Sequence, residues 1–72
     1  MINPNISMQY FQLYQQMKAL EAEYRAAGKS ISQKDKRRLI VRIKAIKAEA
    51  KAMYREHSGD LPSFKQLRQL GL

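Results

Sequence analysis

Two stretches of this chain repeat apolar residues at helical spacing over nearly the same length, with a glycine between them. In the first, Ile6, Tyr10, Leu13, Met17, Leu20, Tyr24 and Ala27 recur at intervals of 4, 3, 4, 3, 4 and 3. In the second, Leu39, Ile43, Ile46, Ala50, Met53 and His57 recur at 4, 3, 4, 3 and 4. Such a repeat gathers its apolar members on one side of an α-helix, because about 3.6 residues complete a turn. No run of strand-like alternation is long enough to compete. Two helices with matching seams and a short link bury both seams most simply as an antiparallel hairpin packed at a shallow angle.

Local punctuation agrees with that reading. Asn3-Pro4 offers a cap followed by a proline at the first helical position, and Ser7 offers an equally good cap one turn later. Gly28 supplies a residue free to adopt the left-handed conformation that ends many helices. In the link GKSIS, Ser30 with Gln33 fits a capping box, and Ser32 with Asp35 places an acid near a helix N-terminus. Ser58-Gly59 ends the second helix, and Asp60-Leu61-Pro62-Ser63 reads as a turn into a third, with Ser63 and Gln66 forming another capping box. That short helix is expected to turn Phe64, Leu67 and Leu70 inward, with Leu61 nearby, before Gly71 stops it. The predicted fold is all-α, a single small helical domain over 1–72 with helices at about 5–27, 33–57 and 63–70.

A chain of 72 residues has a small core. It buries only about 60% of the surface it exposes when unfolded. There is no cysteine and a single histidine, so neither a disulfide framework nor a zinc site of the usual kind is available to staple it. Self-association, as a homodimer forming a helical bundle, is the expected remedy. The Tyr/Gln-rich first helix offers a face for it at Tyr10, Phe11, Tyr14 and Met17: Phe11 and Tyr14 widen the apolar stripe beyond what one partner helix needs and are the residues expected between protomers or against another protein. Aromatic residues at Tyr10, Phe11, Tyr14 and Tyr24 could also stack on unpaired bases, but at helical spacing with Leu13, Met17 and Leu20 they fit a core or an interface better. No apolar run approaches the roughly 18 residues needed to span a bilayer, and MINPNISMQ has neither a basic n-region nor an apolar h-region. The expected location is the cytoplasm, whose reducing conditions suit a chain without cysteine.

Charge is distributed unevenly along the chain. The formal net charge is +8, yet residues 1–28 are neutral, with Lys18 and Arg25 against Glu21 and Glu23. Residues 29–58 carry ten basic residues against Asp35, Glu49 and Glu56, a net +7. At about 100° per residue, Lys34, Arg37, Arg38, Lys44, Lys51 and Arg55 fall within a sector of roughly 140° opposite Leu39, Ile43, Ile46 and Met53. Val41 and Ala48 lie inside that sector, so a partner could approach the backbone closely there. The acids that usually alternate with Lys and Arg on a solvated helix face are sparse.

A concentrated cationic face suits a polyanion. Nucleic acid is the first candidate, because Lys and Arg neutralise phosphates and release counterions. An acidic protein surface is the second, and would make the chain a protein-binding adaptor or inhibitor that docks through its basic or its aromatic face. A membrane surface is the weakest, since interfacial helices leave bulky apolar residues free for lipid and this stripe is committed to the hairpin. The expected function is therefore a small, non-enzymatic accessory or regulatory protein that binds nucleic acid, duplex DNA first, through phosphate contacts of Lys34, Arg37, Arg38, Lys44, Lys51 and Arg55.

Little in the sequence supports catalysis. His57 falls on the packed face near a helix end with no nucleophile beside it, and a structural role at the helix C-terminus explains it. Glu21 with Arg25, and Asp35 with Arg38, have the spacing of ordinary helix-surface pairs. No Gly-rich phosphate loop and no metal-ligand spacing are present, so neither a cofactor nor a metal is expected.

The segment REHSGDLPSFKQLRQLGL, through Gly59, Pro62, Ser63, Leu67, Leu70 and Gly71, is similar over about eighteen residues to the opening of helix-turn-helix and winged-helix DNA-binding domains. In that pattern a helix ends at a glycine turn, a Pro-Ser pair caps the next helix, and Leu-x-x-Leu-Gly closes it. The resemblance implies a DNA-binding role, but such domains continue into a recognition helix that does not follow Leu72 here. A standard helix-turn-helix is therefore not expected.

Overall fold

The computed structural model describes residues 4–57 and 59–72. Helix α1 spans Pro4–Ala27, a single 3-10 turn covers Gly28–Ser30, α2 spans Gln33–Glu56 and α3 spans Phe64–Gln69. The two long helices pack against each other as a hairpin, and α3 folds back onto α1. The extents of 46 × 22 × 17 Å are those of a rod two helices wide. At about 10–12 Å per helix with its side chains, such a rod has no room for a second layer, so the third wall that α3 supplies decides which residues are shielded.

The heptad stripes meet where their spacing requires. Tyr10, Tyr14, Met17 and Leu20 of α1, Leu39, Ile46 and Ala50 of α2, and Leu61 and Leu67 form the buried core, with Leu13, Tyr24, Ile31, Ile43, Met53, Tyr54 and Phe64 packed around it. Tyr14 and Met17 are completely buried. No strand occurs among the described residues. None of the described helices is long and apolar enough to cross a membrane.

The structure also decides between overlapping start and stop signals. α1 already runs through Ser7, which therefore caps nothing; Asn3 lies outside the described residues. At the second start Ser32 is the cap, its Oγ accepting from the Asp35 N–H at 3.2 Å. Ser30 does not form the capping box its spacing allows: its hydroxyl donates to the Ala27 carbonyl at 2.6 Å and so satisfies the end of α1 instead. Gly28, at φ 56, sits in the left-handed region that lets the chain leave α1 and turn. Ser58 lies outside the described residues; the end of α2 is held by the His57 carbonyl, which accepts from the N–H groups of Asp60 at 2.9 Å and Leu61 at 3.3 Å.

α3 is closed at both ends. Ser63 Oγ accepts from the Gln66 N–H at 3.2 Å and Gln66 Oε1 accepts from the Ser63 N–H at 2.8 Å, the reciprocal capping box. At the other end the Gly71 N–H reaches the Arg68 carbonyl at 3.0 Å and the Leu72 N–H reaches the Leu67 carbonyl at 3.2 Å. This is the paired geometry of a Schellman motif, with Gly71 at φ 80 as its left-handed residue. Leu70 departs from expectation: it is 71% exposed rather than inward. At about 100° per residue it lies roughly 60° beyond Leu67 and 120° from Phe64, outside the face that docks on α1.

Candidate nucleic-acid interface

α2 turns its buried residues toward α1, and every one of the six cations expected on its outer face, Lys34, Arg37, Arg38, Lys44, Lys51 and Arg55, is exposed. Among the described residues none of the six is engaged by a carboxylate. The ion pair that does form joins α3 to α1: Arg68 Nη2 donates to Glu21 Oε1 at 2.5 Å. Glu21 thus takes a partner 47 positions away in sequence in place of Arg25, and Asp35 does not pair with Arg38. The six cations run over about 32 Å of helix, close to the length of one turn of duplex DNA, about 34 Å.

The charge on α2 is not centred opposite the core. At about 100° per residue the acids Asp35, Glu49 and Glu56 gather roughly 260–320° from Leu39, while Lys36 and Lys47 sit at roughly 60–80°. The positive surface is therefore turned to one side, and that side meets α3. Lys47 and Lys51 of α2 face Lys65 and Arg68 of α3 across a groove. Lys47 lies outside the sector opposite the apolar stripe of α2, and Lys65 and Arg68 stand on another helix. Asymmetry of the acids around α2 was the available signal for Lys47; no local pattern could have brought Lys65 and Arg68 alongside.

The residues expected to form a protein interface separate into two groups. Tyr10, Tyr14 and Met17 are 3%, 0% and 0% exposed, so a second molecule cannot reach them. Tyr10 and Tyr14 are covered by the chain's own α3: the Phe64 ring lies 5.1 Å from both rings, tilted to one and edge-on to the other. Tyr14 also donates its hydroxyl to the main-chain oxygen of Leu72 at 2.7 Å, and Lys18, whose Nζ lies 5.6 Å from the Tyr14 ring centroid, donates to the same oxygen. Burial raises the Tyr10 phenol above its ordinary pKa, and the nearby Tyr54 raises it further. Phe11 stays at the surface, 36% exposed, its ring 6.3 Å from that of Tyr14. Tyr24 is half-buried.

His57 ends α2 through its backbone, its N–H donating to the Met53 carbonyl at 3.0 Å. No group of three or more His, Asp or Glu side chains able to hold a metal ion occurs among the described residues. Comparison with protein families, with curated proteins and with solved structures finds no match to this chain.

Proposed function

We propose that this chain is a small, non-enzymatic accessory or regulatory protein that binds nucleic acid, duplex DNA first, in the cytoplasm. The observation that carries this reading is the outer face of α2, where six exposed cations lie along one helix and, among the described residues, no carboxylate pairs with any of them. Exposed Lys and Arg gain little from isolated surface ion pairs, and a row of unpaired ones is suited to neutralising phosphates. Nothing on the face selects bases, so binding follows the backbone rather than the sequence. Self-association of the hairpin belongs to the same reading. With Tyr10, Tyr14 and Met17 enclosed, the contact falls to Phe11 and Met8, exposed three residues apart on the outside of α1.

The test reverses charge on the face. Arg37→Glu, Arg38→Glu and Lys44→Glu together lower the net charge from +8 to +2, two units for each substitution. Because all three side chains are exposed, the helical circular dichroism is expected to stay unchanged while duplex binding at low salt is lost. A control with Arg25→Glu, Lys29→Glu and Arg42→Glu reaches the same net charge off the face and keeps most of the binding. Equal loss in both variants would assign the effect to bulk charge and overturn the face.

A further inference from the structure

Between α2 and α3 lies an open groove of about 460 Å³. Tyr54 and Phe64, both half-buried, give it an aromatic wall, and Lys47, Lys51, Lys65 and Arg68 line it without any acid among the lining residues. Arg68 is held by Glu21, while Lys47, Lys51 and Lys65 have no ion-pair partner among the described residues. Its volume is within the range of small-molecule sites, about 300–1,000 Å³. An apolar ring surface beside several cations is complementary to one chemistry in particular, a flat heterocycle attached to a phosphate. Lys51 lines this groove and also belongs to the outer face of α2. The groove therefore continues the cationic surface proposed for duplex DNA.

We infer that the groove takes an unpaired nucleotide of a strand whose duplex portion lies on α2, its base against Tyr54 and Phe64 and its phosphates on Lys47, Lys51 and Lys65. This rests on the nucleic-acid reading above and refines it. Paired bases are stacked inside a duplex and cannot enter such a groove; a frayed or single-stranded end can. The preferred ligand is a junction between double and single strand, and the preference is independent of sequence because every base presents a π-face.

Two DNA ligands of equal phosphate number, one a blunt duplex and the other a shorter duplex with a three-nucleotide overhang, are titrated by fluorescence anisotropy. The wild type is expected to bind the overhang ligand about ten-fold more tightly, the scale of a single base–aromatic stack, and to lose tyrosine emission as it does so. Tyr54→Leu keeps an apolar side chain but removes the ring. Lys47→Gln with Lys65→Gln changes only exposed positions, so it guards against a folding artefact at Tyr54. Both variants are expected to bring the ratio close to one, Tyr54→Leu while its affinity for the blunt duplex changes less than about three-fold and the double lysine variant while weakening both ligands. Equal wild-type affinity for the two ligands, with blunt binding intact, overturns the groove and leaves the duplex face standing. Binding of the overhang ligand alone overturns the duplex face and retains the groove. Absence of binding to either overturns both.

Discussion

Tyr14 is the residue on which the three helices converge. It is fully buried, its ring meets Phe64 edge-on at 5.1 Å, and its hydroxyl holds the Leu72 main-chain oxygen at 2.7 Å. Tyr14→Phe removes the hydrogen bond alone and is expected to cost about 1 kcal/mol in urea denaturation. Tyr14→Ala leaves a cavity costing about 3–5 kcal/mol, comparable to the whole of what a core in a chain this short supplies, about 3–5 kcal/mol, so it is expected to unfold the chain. Tyr10 gives a pH signature. Its phenol is raised above 10.0 by burial and by Tyr54. The unfolded chain therefore loses that proton at lower pH than the folded one. The Tyr10 contribution is complete below pH 10.0 and is lost as pH climbs through the folded value. Stability measured from pH 9 to 12 should fall more steeply for the wild type than for Tyr10→Phe; parallel curves would show that this phenol titrates alike in both states.

At the scale of the element, hydrogen bonds have chosen between sequence signals of similar strength. Ser32, not Ser30, caps α2, so Ser32→Ala should cost about 1 kcal/mol, with Ser30→Ala at under half of that by thermal melting; the reverse order would contradict the assignment. The hairpin was legible because its information is local: two heptad stripes of matching length, a left-handed glycine and a serine cap lie next to one another in the chain. The docking of α3 was only partly legible. Its capping box and glycine stop could be read from Ser63, Gln66 and Gly71, and inward Phe64 and Leu67 follow from their spacing. Its seat on α1 could not be read, because that depends on Phe64 meeting rings some 50 positions earlier and on Arg68 finding Glu21. Without that seat, the spacing of Tyr14 in the sequence points to a second protomer. The Glu21–Arg68 pair, with both side chains partly solvated, is worth under about 1 kcal/mol, and it orients α3 more than it stabilises it.

For the whole molecule, the aromatic half and the basic half have different tasks. The neutral α1 supplies most of the enclosed aromatic surface, and α2 carries cations along its outside and round to α3. The composition of residues 29–58 made the basic face visible in the sequence; its turn toward α3 required the tertiary arrangement. Light scattering on the wild type is expected to report a dimer that Phe11→Asp converts to monomer without loss of helix, and a monomeric wild type would rule out the Phe11 contact. The central claim, that the outer face of α2 binds duplex DNA through phosphates, is tested most directly by the salt dependence of affinity. Each neutralised phosphate contributes about −0.9 to the slope of log K against log salt concentration, so three to six contacts predict a slope between about −3 and −5 for the wild type. No binding at low salt, or binding whose strength does not change with salt, would contradict it.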